Sequence, residues 1–286
     1  MEKFRLPSEI ADHEWPAPSV FIEEAKACVR DAQERGIIIR IMGGIAIYLH
    51  CLQYQKLWDS LGRIGKKVFT DIDYVSYGKY RGKVLELFEN RGFTINKKML
   101  YLYGKDRHIY YGNRIPMAEV FYDKLEMNHT ILYGGRLEVD SPTLPLAELL
   151  LQKLQMVGMH EKDIKDTVML LRAHELGEDD NDRINQTSIG ERLFRDWGFY
   201  HTATTNLEKI RNALSGYDVL GEEDRAVVDG RLVQLLRYLE EGTKSVKWKL
   251  RAKIGTKMKW YNAIDDWDII SHESSDAVEH TSYGSS

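Results

Sequence analysis

Cysteine is nearly absent. The 286 residues hold two, Cys28 and Cys51, and both fall in apolar, helix-like segments that suit buried thiols in a reducing cytoplasm better than a disulfide framework. No His/Cys spacing of the kind that holds zinc occurs. No apolar run approaches the roughly 20 residues needed to cross a bilayer. The stretch from Met1 to Pro7 is followed by no apolar core of a secretory leader, so a cytoplasmic protein without a membrane segment is expected. An excess of one charge is lacking too: 40 Lys and Arg against 44 Asp and Glu give a net charge of −4, and no global polycation announces a nucleic-acid binder. Of six prolines, three lie in the first 18 residues, which read as irregular. No internal repeat is present. What remains is globular in composition, with 43% hydrophobic and 29% charged residues, and long enough for one or two domains with a sizeable core.

Phe21, Ala25, Cys28, Val29 and Ala32 recur at helical spacing and predict a helix over 19–35, ended by Gly36. The β-branched run at 37–42 reads as a buried strand, broken by Gly43-Gly44, after which a second helix starts. Residues 52–69 are polar and partly basic and read as a loop. A strand at 71–75, a helix at 80–90 and strand-like pieces at 93–95, 99–103, 108–111 and 117–122 follow. Turns at Gly104 and at Gly112-Asn113 favour antiparallel hairpins, and another short hairpin is expected around Gly134-Gly135. At Asp140 the character changes. Thr143 can cap and Pro145 fits a first turn, and helical patterns then run over 144–158, 161–175, 188–214, 221–241 and 243–254. The predicted fold class is α/β (α+β): a small mixed-sheet domain over 1–140, an all-helical domain over 141–270 and a disordered tail over 271–286.

Three features carry chemistry. Asp71 and Asp73 flank Ile72 in a strand, so both project to one face. Neighbouring carboxylates repel unless a cation lies between them, and a divalent metal is one answer; a solvated edge strand is the other. Gly43-Gly44 sits between strand and helix, where a missing Cβ admits a ligand and the first helical N–H groups suit phosphate. The same pair also serves as a plain tight turn. Glu119 is a lone acid in the apolar run 117–122. It needs a partner, either a shared metal or an internal ion pair with Arg40 or Arg114. His50, two turns into the second helix, reads as a packed histidine.

Together these residues resemble the nucleotidyltransferase superfamily of the DNA polymerase beta type. That pattern is an apolar run ending in Gly-Gly at a helix start, an Asp-x-Asp strand and a third acid on a neighbouring strand. Gly43-Gly44-Ile45-Ala46-Ile47-Tyr48-Leu49 looks like the Gly-Gly-x-Ala-x-x-Leu of the AbiEii/MenT-like branch, and Lys162-Asp163-Ile164-Lys165-Asp166 is similar to its Lys-Asp-x-x-Asp helix. The resemblance spans residues 37–170 and departs in two places. The gap from Gly44 to Asp71 is long, and Glu119 stands where the superfamily commonly has Asp.

The resemblance implies transfer of a nucleoside monophosphate from an NTP such as ATP, with Mg²⁺ held by Asp71, Asp73 and Glu119. Gly43 and Gly44 would seat the phosphates, and Lys153, Asp163 and Asp166 would lie beside the nucleotide. In-line phosphoryl displacement develops charge on both entering and leaving oxygens, which two carboxylate-held ions can stabilise. This requires Glu119 to share a face with the Asp pair, the three carboxyl groups about 4–6 Å apart. Lys153 falls on the apolar stripe of Leu146, Leu149, Leu150, Leu154 and Val157, so it must find an anion, either a triphosphate or Asp163 and Asp166. The acceptor hydroxyl is left open among RNA, protein and small molecule. Residues 244–260, from Lys244 to Trp260, are basic with Trp248 and Trp260 interleaved and no acid. They suit single-stranded nucleic acid, or form an amphipathic helix with a solvated basic face and core tryptophans. The rival reading is a non-catalytic nucleotide- or partner-binding member of the same fold. A toxin–antitoxin role is compatible with the enzyme reading and is not addressed by the sequence. Nor is the oligomeric state.

Overall fold

The computed structural model describes residues 7–63, 67–95 and 97–264; the tail expected to be disordered lies outside them. Five strands form one sheet: β1 (Ile39–Ile41), β2 (Ile72–Ser76), β3 (Thr94–Ile95), β4 (Arg107–Tyr111) and β5 (Met117–Tyr122). Their order is β1-β2-β5-β4-β3. β2 and β5 run parallel at the centre, and every other pair is antiparallel. The chain is therefore a mixed α/β protein, as expected. The β4–β5 hairpin falls at the predicted Gly112-Asn113 turn.

One face of the sheet is apolar. Ile72 and Tyr74 from β2 and Val120 from β5 are buried there. Tyr74 meets Phe88 edge-on, and Phe88 stacks on Tyr110 at 4.1 Å. Two helices supply that layer. α1 (Pro18–Glu34) starts at a proline and buries Phe21, Ala25, Cys28, Val29 and Ala32, the stripe read from the sequence. α4 (Arg81–Asn90) buries Val84, Leu87 and Phe88. Burial pushes the Cys28 thiol up to about 12, and Cys51 moves the same way.

α2 (Gly43–His50) leads into α3 (Gln55–Leu61), which lies in the stretch expected to be a loop. Its polar residues face out, while Trp58 and Leu61, three apart, are buried, and Trp58 meets Tyr48 at 5.5 Å. The run 99–103 is likewise not a strand but most of α5 (Lys97–Tyr103). Met99 and Tyr103 are one turn apart and pack on Ile109, Tyr111 and Met117. The hairpin expected at Gly134-Gly135 forms earlier, between β6 (Lys124–Glu126) and β7 (Thr130–Leu132).

Residues 142–144 run alongside β1: the Ile41 amide donates to the Pro142 carbonyl at 2.9 Å and the Leu144 amide to the Ile41 carbonyl at 3.0 Å. α6 (Leu146–Leu154) follows. Thr143 does not cap it; its hydroxyl meets His50 Nε2 at 2.7 Å, and Pro145 takes the cap position. All of α6 is buried, among α2, α7 (Glu161–Ala173), α8 (Gln186–Leu193) and α9 (Trp197–Ala213). The single helix expected over 188–214 is two, because Asp196 accepts the Phe199 amide and starts α9 afresh. The C-terminal half is not wholly helical either: β8 (Leu176–Gly177) and β9 (Ile184–Asn185) pair in parallel. α10 (Glu222–Glu241) and α11 (Val246–Ile254) complete the fold.

Candidate active site

The Met42 amide donates to the Asp73 carbonyl at 2.9 Å, which draws the turn after β1 against β2. Gly43 there has φ +67°, a conformation that favours glycine. A Cβ at this position would overlap the Asp73 carboxylate. Both demands fall on one residue, so the acid's position requires glycine at 43. The Gly43 amide donates to Gln152 Oε1 at 3.2 Å, and Gln152 donates to the Tyr133 hydroxyl at 2.9 Å. α2 begins at this turn, and the first turn of a helix leaves N–H groups that no intrahelical carbonyl can meet. A Cβ on Gly44 would lie 2.6 Å from Arg63 Nη2.

Asp73 and Glu119 are register partners across β2 and β5. Parallel partners share a face, and Asp71, which immediately precedes β2, borders the same cleft as both. Burial raises the Asp73 carboxyl well above the usual carboxylate range, and Asp71 and Glu119 push it further, against the pull of Lys153 and Arg63. Glu119 also meets Arg107 Nε at 3.4 Å. The expected ion-pair partners are engaged elsewhere. Arg40 donates to the carbonyls of Asp140 and Ile39, and Arg114 pairs with Glu23 and Glu24. The three carboxylates border one cleft without drawing into one knot. Among the described residues, the group of three potential ligands whose donor atoms all lie within 4.8 Å of one another is His50, His174 and Asp182.

A second charged cluster faces the acids. Lys153 Nζ lies 2.9 Å from Asp163 Oδ1 and 2.9 Å from Asp166 Oδ2. Arg63 grips Asp166 with two bonds, of 2.6 and 2.9 Å. Burial works against every charge in this set, yet Lys153 holds the Asp163 carboxyl, and Arg63 with Lys153 the Asp166 carboxyl, below the usual range. The Lys153 ammonium is pushed up in return by Asp166 and Asp163, burial again opposing. Lys153 and Asp163 line the cleft, whereas Asp166 lies behind them, fully buried.

The cleft between the clusters encloses about 370 Å³. Gly43, Gly44, Asp71, Asp73, Glu119, Lys153 and Asp163 all border it, with Phe69, Phe121, Leu125 and Met156 as apolar wall. A second cleft of about 330 Å³ holds Tyr103, Arg107 and Lys124 and shares Phe121 and Met127 with the first. Comparison with known protein families, with curated proteins and with solved structures finds no match. The geometry must therefore be read from the residues themselves. The cleft opposes a row of hard oxygen ligands to a charge-balanced set in which Lys153 and Arg63 are paired with Asp163 and Asp166, and the oxygen row suits a divalent ion.

Three residues of this site escaped the sequence reading. Arg63 lies in the stretch 52–69, whose polar composition reads as a loop. Gln152 is an ordinary polar residue on a helix whose burial no pattern announced. Arg107 alternates with Ile109 at strand spacing, a signal that was present one residue before the predicted strand began. The basic segment 244–260 lies apart from these clusters. α11 buries none of its residues, and Lys247, Lys249 and Lys253 are exposed. Its tryptophans are engaged within the fold, Trp248 edge-on to Tyr200 and Trp260 against His201. The apolar residues left outside are Val246, Leu250, Ile254 and Met258.

Proposed function

We propose that this protein is a nucleotidyltransferase that moves a nucleoside monophosphate from an NTP to an acceptor hydroxyl, using Mg²⁺. The observation that carries the reading is the register of Asp73 against Glu119, facing the Gly43 turn. It supports a single acid face beside a helix N-terminus suited to phosphate. The donor set fits the metal: oxygen-only ligands bordering one cleft, one of them a carboxyl whose charge its acidic neighbours oppose. Asp71, Asp73 and Glu119 would hold it. When bound, Mg²⁺ supplies charge stabilisation for the oxygens of an in-line displacement.

The chain's own residues do the remaining work. The Gly43-Gly44 backbone and the first turn of α2 orient phosphate oxygens. Lys153 and Lys162, both lining the cleft, attract the polyphosphate. The apolar wall at Phe69, Leu125 and Met156 excludes water and gives the base a surface. Glu119 takes the proton of the acceptor hydroxyl. The adjoining cleft at Tyr103 and Lys124 offers the acceptor a seat. RNA, protein and small molecule remain candidate acceptors; the exposed lysines of α11 favour an anionic one, RNA. A second reading, a nucleotide binder without turnover, is favoured by the Arg107–Glu119 contact, which partly neutralises the third acid.

Incubation with labelled NTPs and Mg²⁺, followed by separation of RNA, protein and small molecules, tests the proposal. Label should move to one fraction with release of pyrophosphate, and Asp71→Ala with Asp73→Ala should abolish it. Nucleotide uptake without pyrophosphate would select the second reading.

A further inference from the structure

His50 ends α2, His174 caps the C-terminus of α7, and Asp182 lies in the acidic loop that follows. In sequence they have no motif: His50 and His174 are 124 residues apart, which is why no ligand spacing could be read. In space one donor atom from each lies within 4.8 Å of the other two. His174 Nδ1 and Asp182 Oδ1 are 3.1 Å apart, close to the roughly 3.3 Å edge of a tetrahedron of ligands around zinc.

Hydrogen bonding turns that nitrogen towards two acceptors. His174 Nε2 donates to the His50 carbonyl at 2.9 Å, and a carbonyl can only accept, so Nε2 carries the hydrogen. Nδ1 then faces Asp182 Oδ1 and, at 3.3 Å, the Asp182 carbonyl. Both are acceptors, so a positive centre belongs between them. His50 Nε2 meets the Thr143 hydroxyl at 2.7 Å, and Asp140 stands beside the group, its Oδ2 3.5 Å from the same nitrogen. Two imidazoles with carboxylates favour a borderline transition ion over Mg²⁺.

We propose that His50, His174 and Asp182 form a structural site for a zinc-type divalent ion, with Asp140 able to supply a fourth ligand. The ion ties the C-terminal ends of α2 and α7. The opposite ends of these helices carry Gly43 and Asp163 in the cleft. The site is independent of the proposed transfer reaction.

The test uses the full chain in the Asp71→Asn/Asp73→Asn background, which removes the carboxylate pair as a competing site. After chelation and buffer exchange, zinc is titrated and bound metal measured by elemental analysis, with thermal unfolding alongside. The expected result is one ion per chain, a higher unfolding temperature with zinc and the visible bands of tetrahedral Co²⁺ on cobalt substitution. Asp182→Asn should weaken zinc binding at least tenfold. Asp182 is largely exposed, so this change does not disturb packing, whereas His174→Gln acts on a buried residue. The proposal is overturned if the chain takes up no zinc, as it would if a proton alone occupied Nδ1, or if Asp182→Asn binds zinc as tightly as the parent.

Discussion

Two charged clusters face one another across the main cleft, and they are built on opposite principles. The Arg63–Asp166–Lys153–Asp163 set is neutral as a whole, and each acid is bonded to a cation of the same chain. The Asp71–Asp73–Glu119 row sets like charges side by side, with Arg107 at one end. Burial raises the cost of charge in both. The first set settles that cost internally, and its acids ionise more readily than usual. In the second, burial and its neighbours drive Asp73 the other way. A folded chain retains such an arrangement only if something else stabilises it or makes use of it. The contrast separates a cluster whose charges are matched within the chain from one in which like charges meet.

The sharpest way to break the contrast is to unpair the neutral set. Lys153→Met leaves Asp163 and Asp166 buried with Arg63 alone between them, and should cost about 3–5 kcal/mol, read as a lower urea midpoint. Gly43→Ala comes next. It forces a left-handed backbone on an alanine and drives its Cβ into Asp73, for a loss of about 1–3 kcal/mol.

Asp73→Asn should do the reverse and raise the urea midpoint above that of the parent, because it removes a carboxyl whose ionisation burial and its acidic neighbours oppose, while abolishing any transfer activity. Acid separates the two clusters further. The folded carboxyl of Asp73 holds its proton to higher pH than the unfolded one, so its ionisation destabilises the fold. That penalty is complete above the raised folded value and relieved as pH falls towards the ordinary Asp value of about 3.9. The parent should therefore gain on Asp73→Asn as pH is lowered from 7 to 4, measured by urea unfolding of both. Asp163 and Asp166 act in the opposite sense. Their folded values are depressed, so their stabilisation is fully present above about pH 4 and lost as pH falls through the folded values. The smallest effect is that of the cation itself. Mg²⁺ at a concentration equal to its Kd should add about 0.4 kcal/mol to the parent and nothing to an Asp71→Asn/Asp73→Asn chain, as thermal unfolding would report.

Side-chain periodicity carried much of this architecture. The alternation in β2 and β5 placed Asp71 and Asp73 on one face and Glu119 on a neighbouring strand, and the α1 stripe was read residue by residue. Strand order was not available from pattern, because the residues paired between β2 and β5 lie 46 positions apart in the sequence. Nor was the partner of Glu119, since Arg40, Arg107 and Arg114 look alike until the sheet is assembled. Local polarity misled at 52–69, where Lys56 and Asp59 masked the spacing of Trp58 and Leu61. It misled again at α5, whose apolar, aromatic run reads equally as strand or helix over so short a length. Gln152 gave no signal at all: its burial follows from α6 being packed among α2, α7, α8 and α9 and the strands β7 and β9.

That enclosure has a bearing on where the chain can be cut. Glu148, Gln152 and Lys153 all point from α6 to different neighbours: to Arg136 and Arg192, to Gly43 and Tyr133, and to Asp163 and Asp166. A fragment ending at Asp140 would keep every carboxylate of the acid row yet lose the glutamine that anchors the Gly43 turn, Lys153 with its two aspartates opposite, and the 142–144 segment along β1. It would expose the underside of α2 to water. A minimal working piece of this molecule has to extend at least through α7, because the helices after Asp140 complete the mould in which the acids sit.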